Sequence, residues 1–198
     1  MLTTKGITKI LELFHSNRDT SFHVREISRK TKLNQNSTVR FLKKLEKEKI
    51  LISKKDGNLK KYSLRKSYPA YEILTTIDVE TFRNLPIIKQ QAIEIFLDSL
   101  KEQPIIALLF GSTARNTHKE DSDIDILLIV NKRIDTKQAI RKADTQSAQR
   151  ISDFQITFAD FKRELKLKEE HVVQSAINSG YPITNHIFYY RSIYNERI

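Results

Sequence analysis

The sequence predicts an α+β fold in which a small basic helical module precedes a second module of mixed strands and helices. Three observations favour this organisation: an uneven charge distribution, an Asp-Gly dipeptide between two β-type runs, and two apolar runs near the middle of the chain. The chain has 198 residues, 39% of them hydrophobic and 30% charged. This length suits one large domain or two small ones, and this composition supports a packed core.

The positive charge of the chain is concentrated in its first third. The formal net charge is +11. Residues 1–66 contain 18 Lys and Arg against 6 Asp and Glu, a net charge of +12, whereas residues 67–198 contain 17 against 18, a net charge of −1. A generally lysine-rich composition would spread this charge evenly. The segregation indicates a nucleic-acid-binding module joined to a nearly neutral one.

Composition also restricts the cellular setting. The chain has no cysteine, which excludes disulfides and thiolate metal sites and fits a reducing compartment. The longest apolar runs, Ile105–Phe110 and Ile124–Val130, are too short to cross a bilayer. We therefore expect a soluble cytoplasmic protein without a membrane partner.

The first 66 residues are predicted to form three helices and a hairpin. Apolar spacing predicts helices over residues 4–16, 21–30 and 35–48. Asn34 is placed to cap the third helix. Two β-type runs flank Asp56-Gly57, a strong hairpin signal.

Three helices followed by a basic hairpin resemble the winged helix-turn-helix of transcriptional regulators. The resemblance covers residues 1–66 and is carried by ISRKTKLNQNSTVRFLKKLE at residues 27–46. It implies that the third helix enters the major groove of double-stranded DNA and that the hairpin contacts the backbone. The implied base-contacting residues are Gln35, Asn36, Ser37, Thr38 and Arg40. The implied phosphate-binding residues are Lys43, Lys44, Lys54, Lys55, Lys60 and Lys61. A winged helix used for protein contacts is the alternative.

Residues 67–103 are predicted to be a helical connector. Helical segments are expected at residues 71–82 and 87–100, and no Gly- or Ser-rich linker separates them. The same region is a candidate dimerisation element, so a homodimer is an open alternative.

Residues 104–198 are predicted to form an α/β domain. Strands are expected at residues 105–110, 124–130 and 154–158, with helices at 135–151, 160–166 and 170–179. Mixed elements at this spacing predict a small sheet covered by helices.

One stretch of this domain carries ligand chemistry. Asp123 and Asp125 stand one residue apart at the start of a strand, so both side chains point to one face. Paired carboxylates repel unless a cation lies between them, and oxygen ligands suit Mg²⁺. Gly111 allows close approach of a ligand, and Ser112 begins a short predicted helix whose N–H groups favour an anion. The pattern indicates a nucleotide site.

The Gly111-Ser112 and Asp123-x-Asp125 unit resembles the signature of minimal nucleotidyltransferases of the DNA polymerase β superfamily. Ser112 and Asp123 are 11 positions apart, as that strand-helix-loop-strand unit requires. The resemblance implies Mg²⁺-dependent transfer of a nucleoside monophosphate from a nucleoside triphosphate such as ATP to a protein or nucleic-acid hydroxyl. It also implies nucleotide binding by Gly111, Ser112 and Arg115, and catalysis and metal binding by Asp123 and Asp125.

Two departures from the family pattern bear on activity. Asn116 stands where a glycine is frequent and tolerates similar backbone angles. A third carboxylate is expected on the next strand, and apolar alternation places that position at Gln155. Asp153, two residues earlier, either substitutes as a third catalytic residue or only starts the strand.

Two further functions therefore stay open beside transfer. One is a DNA-binding transcriptional regulator whose degenerate transferase domain senses nucleotide. The other is the antitoxin of a toxin-antitoxin pair, because small members of this superfamily also modify a partner toxin. A toxin gene beside this one would favour that version.

Overall fold

The computed structural model describes residues 4–117 and 122–196, with only the backbone of residues 195 and 196. The chain separates into two compact units, Met1–Ile77 and Asp78–Ile198. Within the described residues no helix is long and apolar enough to cross a membrane.

The first unit combines three helices with a small antiparallel sheet. Its elements are α1 (Lys5–Ser16), β1 (Phe22–His23), α2 (Val24–Thr31), α3 (Gln35–Lys47), β2 (Leu51–Asp56) and β3 (Leu59–Leu64). The strand order is β1-β3-β2. The three helices and the hairpin agree with the prediction, and the arrangement is compatible with a winged helix-turn-helix.

Local chemistry explains where these elements begin and turn. The side chain of His23 accepts a hydrogen bond from the Glu26 amide at 3.2 Å, and Glu26 accepts one from the His23 amide at 3.0 Å, which starts α2 with a capping box. The predicted cap of α3 is confirmed, since Asn34 Oδ1 accepts from the Ser37 amide at 2.8 Å. The hairpin turns at Gly57, whose φ of +57° favours glycine.

The second unit is a four-stranded sheet covered by helices on both faces. Helix α4 (Tyr68–Arg83) crosses the boundary between the units. It is followed by α5 (Ile87–Asp98), β4 (Ile106–Phe110), α6 (Gly111–Ala114), β5 (Ile124–Val130), α7 (Lys137–Ser147), β6 (Ile151–Thr157), α8 (Phe158–Leu167), α9 (His171–Ser179), β7 (Tyr181–Pro182) and α10 (His186–Glu196).

The sheet has the order β6-β5-β4-β7, with β5 parallel to β6 and the other neighbours antiparallel. One face, here the back face, packs Ile126 and Leu128 against Ala92 and Phe96 of α5 and Ala143 of α7. The other, front face carries the alternate residues of each strand. Helix α5 therefore belongs to the core of this unit, whereas we predicted that it would be part of a helical connector at residues 67–103.

Other differences from the sequence prediction concern the ends of elements. Strand β6 begins at Ile151, three residues before the predicted start, and α7 ends at Ser147, because Ala148 adopts a left-handed conformation with φ +53°. The two-residue strands β1 and β7 were not predicted, since such short pairings leave no periodic pattern.

Candidate active site

The predicted nucleotide site lies where β4 ends and β5 begins. Phe110, the last residue of β4, pairs with Asp125 of β5 across the antiparallel ladder. Gly111 follows with φ +71°. A Cβ atom at position 111 would overlap Oδ2 of Asp125 and lie 2.9 Å from its Cγ. Only glycine satisfies both the backbone angle and the close approach of the carboxylate.

The two aspartates form one electrostatic unit. Asp123 is exposed directly before β5, and Asp125 is half-buried as the second residue of that strand. Burial raises the pKa of the Asp125 carboxyl, the charge of Asp123 raises it further, and Arg115 acts in the opposite direction. Two carboxylates that disfavour each other's charge are relieved by a cation placed between them. The donor set therefore fits a divalent cation with oxygen ligands.

Arg115 lies close enough to bear on the same site. It directly follows α6, and its Nη1 donates to Ser179 Oγ at 3.5 Å. The chain then turns at Asn116, whose φ of +54° lies in the left-handed region that glycine also adopts. Ser112 is half-buried and its carbonyl accepts from the Thr117 amide at 3.0 Å. Residues 118–121 of the predicted polar loop lie outside the described residues.

The structure does not bring Asp153 together with the two aspartates. In the parallel ladder Asp125 pairs with Ser152, whereas Asp153 pairs with Ile126. Paired residues of neighbouring strands point to the same face, so Asp153 and Gln155 point to the back face. There Asp153 Oδ2 accepts from Gln155 Nε2 at 3.1 Å. The register thus corrects the placement of the third carboxylate at position 153 or 155.

The positions of β6 that share the face of Asp125 are Ser152, Phe154 and Ile156. The ring of Phe154 is 40% exposed and lies 5.9 Å from the ring of Phe110, at an interplanar angle of 64°. None of these three residues is a carboxylate. Sequence reasoning missed this because β6 carries polar and apolar residues on both faces, so alternation did not fix its register.

Gln155 has a structural role instead. Its side-chain amide donates to the carbonyl of Ile134 and accepts from the amide of the same residue, both at 3.0 Å. This pair of hydrogen bonds ties β6 to the segment that leads from β5 to α7. The polar side chain is thereby satisfied without any ligand.

The residues predicted to bind DNA are displayed unequally on the first unit. Gln35, Asn36 and Arg40 are exposed and Ser37 is half-buried. Thr38 is fully buried: its hydroxyl donates to the carbonyl of Asn34 and accepts from Ser28 Oγ, both at 3.0 Å. The prediction that Thr38 contacts a base is therefore corrected, because this side chain supports the packing of α3.

Several of the predicted phosphate-binding lysines take part in surface ion pairs. Lys44 pairs with Glu48 at 3.8 Å, Lys60 with Glu46 at 3.1 Å and Lys61 with Asp56 at 2.7 Å. Exposed pairs of this kind contribute little stability and are easily exchanged for another anion. The remaining three lysines of the set are exposed: Lys43, Lys54 and Lys55.

Comparison with known proteins gave a match within the second unit. Residues 90–184 match the family model described as "Polymerase beta, Nucleotidyltransferase". Comparisons with curated proteins and with solved structures gave no significant match. The matched residues include Gly111, Ser112 and both aspartates, and they span all four strands of the second sheet. Over residues 90–184 the second unit is therefore similar to a polymerase β nucleotidyltransferase domain.

Proposed function

We propose that the chain transfers a nucleoside monophosphate from a nucleoside triphosphate to a hydroxyl of a protein or nucleic acid. The observation that carries the proposal is the approach of Asp125 to Gly111, beside Asp123, within a domain of the nucleotidyltransferase family. Nucleotidyl transfer needs negative charge to be neutralised around the α-phosphate, and a divalent cation held by these two carboxylates would supply the neutralising charge.

The residues present fit Mg²⁺ together with a nucleotide. Mg²⁺ is commonly held by one or two carboxylates plus substrate phosphates, so Asp123 and Asp125 suffice for binding. When bound, the ion would neutralise charge on the phosphates during transfer. Gly111 and Ser112 would accommodate the β- and γ-phosphates through backbone N–H groups, and Arg115 would add a positive charge beside them.

We place the acceptor on the side of Asp125 that lies opposite the β- and γ-phosphates. In-line transfer requires the attacking oxygen to approach opposite the leaving pyrophosphate. Helix α6 follows β4 on one side of β5, and β6 lies on the other side. A cleft of about 610 Å³ on the β6 side is lined by Leu127 and Phe154, among others. We assign the acceptor to this side.

A second function, nucleotide sensing without turnover, is favoured by one observation. The front face of β6 presents Ser152, Phe154 and Ile156, so this strand provides no third carboxylate beside Asp125. A positioned base typically contributes a factor of about 10²–10⁴ to the rate. In this version Mg·ATP binds the second unit and alters DNA binding by the first.

DNA binding is proposed for the first unit in either version. Its support is the net charge of +12 on residues 1–66 and the exposure of Gln35, Asn36 and Arg40 on α3. Phosphate contacts by lysines of α3 and the β2–β3 hairpin would orient α3, and the exposed polar residues would contact bases. In the antitoxin version, the acceptor of the nucleoside monophosphate is a toxin protein whose gene lies beside the gene of this protein.

A transfer assay tests the first function. The protein is incubated with each labelled nucleoside triphosphate, Mg²⁺ and candidate acceptors: duplex DNA, RNA and neighbouring gene products. We expect label on one acceptor with the wild type and with Asp153→Asn, and none with Asp123→Asn plus Asp125→Asn. Transfer that survives the double substitution would refute the assignment. No transfer, combined with DNA affinity that changes on adding Mg·ATP, would establish the sensing function instead.

A further inference from the structure

A lysine is buried directly behind the paired aspartates. Lys89 of α5 is only 2% exposed, and its Nζ donates to the carbonyl of Ser122 at 3.0 Å. Burial lowers the pKa of this ammonium group, and the negative charge of Asp123 acts in the opposite direction. Placing an ammonium group out of water is costly, and an apolar side chain of similar size would serve packing better. Apolar periodicity does not single out this residue, which shares the buried face of α5 with Ala92, Ile93 and Phe96.

The hydrogen bond from Lys89 holds the backbone directly before Asp123. Helix α5 packs on the back face of the sheet, opposite the face of Asp125. Ser122 directly precedes Asp123, and the amide of the next residue, Ile124, donates to the carbonyl of Arg150 at 2.9 Å. The backbone is therefore fixed on both sides of Asp123, by Lys89 before it and by Arg150, which directly precedes β6, after it.

We infer that Lys89 is a positioning residue that holds Asp123 beside Asp125 for a metal-bound nucleotide. The two aspartates are positioned by separate residues: Gly111 leaves room for the carboxylate of Asp125, and Lys89 holds the backbone directly before Asp123. A carboxylate on an unanchored segment would lose this geometry, because Asp123 lies before the first residue of β5. The inference rests on the proposed metal-nucleotide site.

Positioning and simple electrostatics make opposite predictions for the loss of Lys89. Removing a positive charge near Asp123 would by itself favour a cation at the aspartates. Removing the anchor of Ser122 would weaken that cation's binding, because Asp123 is no longer held. The direction of the change in metal affinity therefore distinguishes the two roles.

The experiment compares Lys89→Met with Lys142→Met, a matched control at an exposed position of α7. Binding of Mn²⁺ alone, and of Mn²⁺ together with ATP, is measured by calorimetry, and the thermal midpoint is measured without metal. We expect Lys89→Met to bind Mn²⁺ alone about 10-fold more weakly, with an unchanged or higher midpoint. Lys142→Met should match the wild type, and Lys89→Arg, which keeps a charged donor, should largely restore affinity.

Two results would overturn the inference. One is binding of Mn²⁺ alone by Lys89→Met that equals or exceeds that of the wild type. The other is a strongly lowered thermal midpoint, which would make Lys89 a general support of the fold.

A metal-free measurement separates this inference from the proposed function. Amide hydrogen exchange at Asp123 and Ile124 should be faster in Lys89→Met than in Lys142→Met. If the wild type binds no Mn·ATP, the proposed function fails, and the exchange rates alone decide whether Lys89 anchors this segment. Unchanged exchange would refute the anchoring.

Discussion

Replacement of Gly111 by alanine offers a sharp test of the site, because one methyl group meets two constraints. The first is the backbone angle, φ +71°. The second is the carboxylate of Asp125, since the added Cβ would overlap Oδ2 and lie 2.9 Å from Cγ. The two constraints affect different quantities: the backbone angle affects stability, and the carboxylate position affects ligand binding and transfer.

The magnitudes follow from these distances. A left-handed conformation costs an alanine about 1–2 kcal/mol relative to glycine. Carbon atoms in contact prefer separations of about 3.5–4.0 Å, so Cγ of Asp125 must move away by about 1 Å. A displacement of about 1 Å at a reacting centre can cost roughly 10²-fold in rate. We therefore expect Gly111→Ala to lower the free energy of unfolding modestly and to lower transfer by about 10²-fold.

Gly57→Ala is the matched control for this experiment. Gly57 has a similar φ of +57°, but a Cβ atom there meets nothing within 4 Å. Urea unfolding should show similar losses of stability for the two variants. The transfer assay should show a lower rate, and calorimetry a lower Mg·ATP affinity, only for Gly111→Ala. Equal transfer and equal Mg·ATP affinity in the two variants would refute the inferred contact between Gly111 and Asp125.

Three further outcomes are expected. The pKa of Asp125 is raised, so on acidification this carboxylate should be protonated, and Mg·ATP affinity lost, at a higher pH than for an ordinary aspartate. Near neutral pH the same charge destabilises the metal-free fold, so Asp125→Asn should raise the metal-free thermal midpoint. An unchanged midpoint would contradict this. Lys43→Glu with Lys44→Glu should weaken duplex DNA binding and reduce its salt slope by about 2, measured by fluorescence anisotropy at several salt concentrations; unchanged binding would remove the case for DNA. If the site lacks a general base, Ser152→Asp should increase the rate of transfer by about 10²-fold, whereas Asp153→Asn should leave that rate unchanged. The opposite pattern in the transfer assay would identify Asp153 as the general base.

The elements that carry strong local signals were predictable from the sequence. Apolar periodicity located α1 and α3, the Asp-Gly dipeptide located the hairpin, and continuous apolar runs located β4 and β5. The nucleotide site was predictable for the same reason. Gly111 and the two aspartates occupy the ends of those two strands, so their proximity follows once the strands pair.

The register of β6 could not be predicted, and the third carboxylate depended on it. A shift of one residue in a strand moves every side chain to the other face. Since β6 carries Asp153 on one face and Ser152 on the other, polarity gave no preference. Pairing with β5 is a long-range property, and only the structure fixes it.

Buried polar residues were the other failure of sequence reasoning. Thr38 was expected on the exposed side of α3, but its hydroxyl is satisfied by Asn34 and Ser28, so it packs inward beside Leu42. Lys89 is buried for a similar reason, with the carbonyl of Ser122 as its partner. A polar side chain is buried where it finds a hydrogen-bond partner, either far away in the sequence or one helical turn earlier. Apolar periodicity does not reveal such partners.

The central claim is that Asp123 and Asp125, beside Gly111, hold a metal-bound nucleotide. Calorimetric titration of the full chain with ATP, with and without Mg²⁺, tests it most directly. We predict binding that requires Mg²⁺ and is lost in Asp123→Asn plus Asp125→Asn, while Asp153→Asn binds like the wild type. ATP binding that is independent of Mg²⁺, or that persists in the double variant, would contradict the claim.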